Sequence, residues 1–209
     1  MTMFVQKVTV CNMFDMNAYF YIDDTTKHGF LIDPGAEADK LLQIIQQNNW
    51  HIETILITHG HFDHIGAVEK ISKTINIPYK IHRAGKQFLA DPHFNLSQYC
   101  PQNIILTQAE YFDDGDIITL KSNPETKLKV IHTPGHTPDS VIFYDQANNL
   151  AFVGDTIFKA GIGNPNFPGG DEKLLYENIN RKIFALPENT VLYSGHSEAT
   201  TVGAEKNPL

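Results

Sequence analysis

Four potential metal ligands fall within six residues in the run Thr58-His59-Gly60-His61-Phe62-Asp63-His64. His59 and His61 lie two apart, so an extended backbone points both imidazoles to one side. Asp63 and His64 follow where a turn into a helix over residues 65–75 would re-aim them. Gly60 carries no side chain between the first two ligands and would let the backbone approach a metal closely. The spacing differs from that of a zincin, whose paired histidines sit four apart on one helix face. Neutral imidazole and carboxylate suit Zn²⁺, and also Fe²⁺ or Mn²⁺. A structural zinc site would use thiolates, and no CxxC pair occurs. The cluster therefore reads as a catalytic metal site with open positions.

Three further candidates recur at strand ends. His136 lies in the turn Thr133-Pro134-Gly135-His136-Thr137-Pro138, Asp155 in Val153-Gly154-Asp155-Thr156, and His196 in Ser194-Gly195-His196, each directly after a glycine. Loops at one rim of a rigid scaffold are where a site is assembled. His28, His51, His82 and His93 have no acidic or histidine neighbour at ligand spacing and read as ordinary residues. His132 precedes a proline turn and would at most support a ligand.

The elements that must position these groups are strands and helices in two similar halves. Residues 3–10, 17–23 and 28–33 run or alternate apolar, with the polar turn 23–27 between two of them and Asp33-Pro34-Gly35 ending the third. Residues 37–49 carry Leu41, Leu42, Ile44 and Ile45 at helical spacing, and 65–75 carry Ile65, Val68, Ile71 and Ile75. Residues 53–58 and 77–82 read as strands and 84–90 as a helix. In the second half, strands are expected over 117–121, 127–132, 140–145, 150–154 and 190–194. Asp113-Asp114-Gly115-Asp116 makes a turn into the first of these, and Asn148-Asn149 makes a hairpin tip. A helix over 171–184 places Leu174, Leu175, Ile179 and Ile183 on one face. Two packed sheets with helices outside follow from this order. No repeat, low-complexity tract or linker divides residues 1–209, so one domain is expected.

The chain has 209 residues, 42% of them apolar, and a net charge of −8 with histidine neutral. This composition suits a globular fold and gives no footprint for nucleic acid or an anionic membrane, a local basic groove apart. No apolar run approaches the roughly 18–20 residues that cross a bilayer. The opening residues lack the features of a signal peptide, so a cytoplasmic location is expected. Cys11 and Cys100, far apart in sequence, read as reduced, buried or half-buried thiols.

The motifs THxHxDH, TPGHT, GD and GH, spread over residues 33–196, resemble the metallo-β-lactamase superfamily. The resemblance is greatest to its glyoxalase II-like branch of short, single-domain bacterial proteins. It implies an α/β fold, a four-layer αββα sandwich of two mixed sheets with outer helices and a site along one edge. By position, His59, His61 and His136 would hold one metal and Asp63, His64 and His196 a second, with Asp155 bridging. Asp33 would accept a hydrogen bond from a ligand imidazole and fix its tautomer. Zinc is the first expectation, with iron or manganese as alternatives. The sequence departs from the family's Gly-Arg-x-Asp stretch, where Gly163-Asn164-Pro165-Asn166 stands instead, and Gly195-His196-Ser197 replaces a Gly-His-Gly. No counterpart of the helical domain that contacts glutathione in larger glyoxalase II enzymes precedes Leu209. Lys159 offers a positive charge to an anionic substrate.

The activity this implies is hydrolysis of a small-molecule thioester, S-2-hydroxyacylglutathione first, with no nucleic-acid or membrane partner. Two cations about 3.5–4 Å apart share a hydroxide at neutral pH, and Asp63 orients it or takes its proton. A thiolate, with thiol pKa near 8.5, leaves without a strong general acid. The rivals are a lactonase of the same fold and a persulfide dioxygenase using one iron on His59, His136 and Asp155. A flavodiiron reductase would carry Glu at position 61. The acidic charge speaks against a nuclease, and the N-terminus against a secreted antibiotic hydrolase. A metal-binding protein without turnover is the non-enzymatic alternative.

Overall fold

The computed structural model describes residues 3–206. The chain opens with β1 (Met3–Cys11), β2 (Asp15–Asp23) and β3 (His28–Ile32), followed by α1 (Ala38–Gln47), β4 (His51–Leu56), α2 (Phe62–Ile65) and α3 (Val68–Ile75). β5 (Tyr79–His82), α4 (Lys86–Ala90) and β6 (Glu110–Phe112) complete the first half. The second half runs β7 (Ile117–Leu120), β8 (Asn123–His132), β9 (Val141–Asp145), β10 (Leu150–Gly154), β11 (Ile157–Phe158), β12 (Gly161–Ile162), α5 (Glu172–Asn178), β13 (Val191–Ser194), β14 (Thr200–Thr201) and α6 (Val202–Lys206).

Two six-stranded sheets form, in the orders β1-β2-β3-β4-β5-β6 and β14-β13-β10-β9-β8-β7. Both are mixed. β1, β2 and β3 pair antiparallel while β3, β4, β5 and β6 pair parallel. In the second sheet β10 and β13 are parallel among antiparallel neighbours.

The layers follow from the two-residue period of the strands. On β2, Ala18, Phe20 and Ile22 join a core with Leu41, Ile45, Val68 and Ile71 of the helices. Tyr19 and Tyr21, between them, face the other way, into a core with Leu128, Val130, Phe143 and Phe152 of the second sheet. A third core sets Ile142, Ala151 and Leu192 against Leu175, Ile179 and Ile183. Three apolar cores between four layers make the expected αββα sandwich. β2 and β3 are buried on both faces, so they read as nearly continuous apolar runs.

Some expectations need correction. The helix over 65–75 is two pieces, and α2 begins directly after His61. The break comes at Gly66, where a Cβ would sit 2.2 Å from the Gly35 carbonyl oxygen. The helix over 171–184 is α5 followed by a π-helical turn over Ile179–Ile183. Leu175, Ile179 and Ile183, four apart, face the core, while Leu174, turned about 100° from Leu175, is exposed. β6 gave no pattern because it is three residues long, with Phe112 buried in one core and Tyr111 half-buried against another. Cys11 is exposed and Cys100 half-buried, and both are free thiols. Among the described residues no helix is long and apolar enough to cross a membrane.

Candidate metal centre

The seven candidate ligands come from four segments at one edge of the sandwich, and their donor atoms meet there in overlapping clusters. His59 follows β4, Asp155 follows β10 and His196 follows β13, so three of them sit just beyond strand C-termini. His61 has extended backbone and caps α2, whose first turn presents Asp63 and His64 back toward His59. His136 comes from the turn between β8 and β9. Thr58 ties the two sheets together here: its carbonyl accepts the Val141 N–H at 3.0 Å.

His59 Nε2 and His136 Nε2 each lie 3.1 Å from His61 Nδ1. On the other side, His196 Nε2 lies 3.0 Å and His64 Nε2 3.8 Å from Asp63 Oδ2. Asp155 stands between the two groups, with Oδ1 3.3 Å from His64 Nε2 and Oδ2 3.4 Å from His196 Nε2 and 3.8 Å from His136 Nε2.

The outer partners of the rings decide which nitrogens are bare. His136 Nδ1 lies 2.9 Å from the Asn164 carbonyl oxygen and His196 Nδ1 2.8 Å from that of Asp15. A carbonyl only accepts, so each Nδ1 donates outward and each Nε2 is the nitrogen turned toward the cluster. His64 Nδ1 donates in the same way to Asp33 Oδ2 at 2.9 Å. Asp33 is itself held by the Thr58 N–H and hydroxyl, at 2.7 and 2.6 Å.

Lone pairs converging at about 3.1 Å repel unless a cation lies among them. Tetrahedral coordination at about 2.0–2.1 Å per nitrogen spaces the donors about 3.3 Å apart, close to the separations seen. His64 Nε2 and Asp155 Oδ1 are buried without any hydrogen-bond partner, as groups reserved for a metal would be. The donor set fits divalent metal ions in both groups.

The electrostatics agree. Burial, then neighbouring His136, push the His61 imidazole down to about 3. Burial and the surrounding imidazoles hold His59 well below its ordinary value. These rings stay neutral, the form that ligates. Burial would raise Asp155, but the imidazoles of His64, His196 and His136 beside it hold it far below the carboxylate range. Burial would lower His64, but Asp155, Asp33 and Asp63 around it raise it well above its ordinary value.

Two expected contributions differ. Gly60 is required by packing rather than by a metal: a Cβ there would lie 2.5 Å from Phe88 Cβ, and its N–H donates to Asp139 Oδ2 at 2.9 Å. Lys159 is not brought to the site. It sits exposed at the tip of the tight β11–β12 hairpin, where Ala160 has φ 58°, and it does not line the cavity over the cluster. His132 stacks on His82, with centroids 3.9 Å apart, and contacts the Pro138 carbonyl.

The glycines before the ligands serve close approach. Gly195 has Asp155 Oδ1 2.3 Å and His64 Cε1 2.8 Å from where a Cβ would stand, and Gly154 adopts φ 50° against Thr58. The sequence did not point to Asn17 and Tyr19, whose side chains bind the Ser194 carbonyl and steady the loop carrying His196. It also did not point to the apolar rim of Phe14, Phe62, Leu96, Phe158 and Phe167 around a cavity of about 320 Å³. Loop aromatics carry no period that would mark them.

Residues 14–196 match the family described as the metallo-beta-lactamase superfamily. "Probable metallo-hydrolase YqgX" of Bacillus subtilis is 36% identical over 91% of this chain and 89% of its own length. "Hydroxyacylglutathione hydrolase GloC" of Haemophilus influenzae is 32% identical over 94% of this chain and 93% of its own. The crystal structure of "BLEG-1 B3 metallo-beta-lactamase" superposes with a TM-score of 0.90 at 34% identity, covering 98% of both chains. With the αββα layers and the convergent His and Asp donors at one edge, these matches establish that the chain belongs to the metallo-beta-lactamase superfamily of metallo-hydrolases.

Proposed function

We propose that the protein is a two-metal hydrolase of small-molecule thioesters, with S-2-hydroxyacylglutathione as its substrate type. The observation that carries the reading is the position of Asp155 between two separate donor groups, each within hydrogen-bonding range of one of its oxygens or nearly so. His59, His61 and His136 would hold one ion, Asp63, His64 and His196 the other, and Asp155 both. Nitrogen-rich ligation suits Zn²⁺ first and Fe²⁺ or Mn²⁺ next. Such a pair supplies an activated water near neutral pH and a Lewis acid for the carbonyl.

The chain's own residues do the rest. Asp33 and Thr58 fix the His64 ring so that Nε2 faces the site. Asp63 is held below the ordinary carboxylate range against its burial by His64 and His196, so it acts as an ionised acceptor that orients the attacking water. The acids lining the cavity are Asp63 and Asp155, and both are held ionised. No proton donor for a poor leaving group stands among these residues. A thiolate needs none, since thiols have pKa near 8.5. The relative named for hydroxyacylglutathione hydrolysis supports the same substrate type. A single-iron dioxygenase would need only His59, His136 and Asp155; the second donor group favours two ions.

The test is thiol release from S-lactoylglutathione by protein loaded with zinc, iron or manganese, beside a lactone, a β-lactam and glutathione persulfide with oxygen uptake. Metal-dependent thioester cleavage exceeding the other activities is expected. Oxygen uptake with the persulfide and no thioester cleavage would replace this reading with the dioxygenase.

A further inference from the structure

The cavity over the metal cluster is walled by apolar rings and carries no lysine or arginine among its lining residues. Phe167 stands edge-on over His61 at 5.4 Å and lies 6.1 Å from His136, on one side of the donors. Phe14 and Phe158 stand 5.8 and 6.1 Å from His196, on the other side. Phe14 also packs edge-on against Phe62 at 5.7 Å, and Leu96 completes the wall. A group bound at the donors is therefore gripped from both sides by aromatic edges.

We propose that this trough holds the acyl half of the substrate and selects an apolar, aryl or branched acyl group, while the thiol carrier is not recognised by charge. The inference rests on the thioester reading above and names which half of the substrate the site reads. About 320 Å³ lies at the small end of ligand pockets. It accommodates a phenyl-sized acyl group beside its carbonyl, and a tripeptide carrier would extend past its lining. The two carboxylates of glutathione would have no cation to meet inside it. Lys159, the charge the sequence offered for that purpose, sits in a hairpin turn and is not part of the lining. Apolar walls discriminate by size, with one methylene worth about tenfold or more in kcat/KM.

The experiment is a two-by-two set of thioesters: lactoyl and 2-hydroxy-2-phenylacetyl groups, each on glutathione and on uncharged N-acetylcysteamine. It uses the metal-loaded protein and its Phe14→Ala and Phe167→Ala variants. The phenyl acyl group is expected to raise kcat/KM about tenfold or more on both carriers. Exchanging the carrier should change it by less than roughly threefold, with little dependence on salt. Each variant should lose most of the phenyl preference, its kcat/KM falling far more with the phenyl acyl group than with lactoyl, while its metal content stays near wild type. A preference for glutathione over N-acetylcysteamine, falling with salt and indifferent to the acyl group, would overturn the inference and leave thioester hydrolysis standing. Cleavage of none of the four would remove both. Both variants are included because each ring is partly exposed at the rim, and metal content reports on any variant that fails to fold.

Discussion

Asp33 Oδ2 lies 2.9 Å from His64 Nδ1, and both groups are buried. Asp33 sits in the Asp-Pro-Gly turn after β3 with φ 49°. It accepts the Thr58 N–H and hydroxyl as well, so one carboxylate fixes both a ligand ring and the backbone that leads to His59. Asp33→Asn keeps the size but can present an N–H to the His64 N–H. We expect metal affinity to fall about 10–100-fold, the usual cost of losing a carboxylate behind a ligand histidine, with turnover at saturating metal falling less. Competition with a chromophoric chelator measures this, and an unchanged affinity would remove Asp33 from the account.

Gly195 packs against the side chains of two ligands. In Gly195→Ala the new Cβ would meet Asp155 Oδ1 and His64 Cε1 inside van der Waals contact. Both are proposed ligands, so the variant should lose metal before it loses fold. Reduced metal content beside an unchanged far-UV circular dichroism spectrum is the expected pair of results. Normal metal content would mean that the loop moves freely and that Gly195 is not a constraint on the site.

Most of this centre was legible in the sequence because its ligands recur in short motifs at strand ends, where little else explains a buried histidine. Asp33 was legible only through the resemblance to the superfamily, since its own sequence context reads as an ordinary strand-ending turn. The Asn164 stretch shows where legibility stops. Its departure from the family's Gly-Arg-x-Asp stretch bore on substrate identity, and the contact it makes to His136 comes from the Asn164 carbonyl, which any residue supplies. Sequence spacing cannot distinguish a backbone partner from a side-chain one. Leu174 shows a second limit: next to Leu175 it is turned about 100° away around the helix, so it leaves the face that Leu175, Ile179 and Ile183 bury. Lys159 shows a third, since a charge near a motif in sequence was carried outward by a two-residue hairpin.

His82 is buried beneath His132, and burial followed by the His132 ring pushes its imidazole down to about 4. An unfolded histidine titrates near 6.5. Between those values the unfolded chain takes up a proton that the folded chain refuses, so this residue makes stability fall as pH drops from about 6.5 to about 4. His82 Nδ1 also accepts the Ala84 N–H at 3.3 Å, a role that an asparagine oxygen can take. His82→Asn should flatten the acid side of the stability profile by on the order of 1 kcal/mol, discounted for solvent at the ring edge. Urea unfolding at pH 7 and pH 5 measures the difference. A variant with the wild-type pH slope would contradict it.

Asp155→Ala and His61→Ala each remove a donor without touching a core. Both should fold, and both should lose turnover by about a thousandfold or more, the scale of removing preorganised charge stabilisation. Thiol release and circular dichroism check the two halves of this expectation. Full activity in a metal-depleted Asp155→Ala protein would contradict the mechanism.

The metal stoichiometry of the pure, metal-saturated protein bears most directly on the account, measured by elemental analysis and by anomalous scattering from crystals. Two ions per chain are predicted, one among His59, His61 and His136 and one among Asp63, His64 and His196, with Asp155 touching both. A single ion at saturation, or none within reach of those side chains, would contradict it.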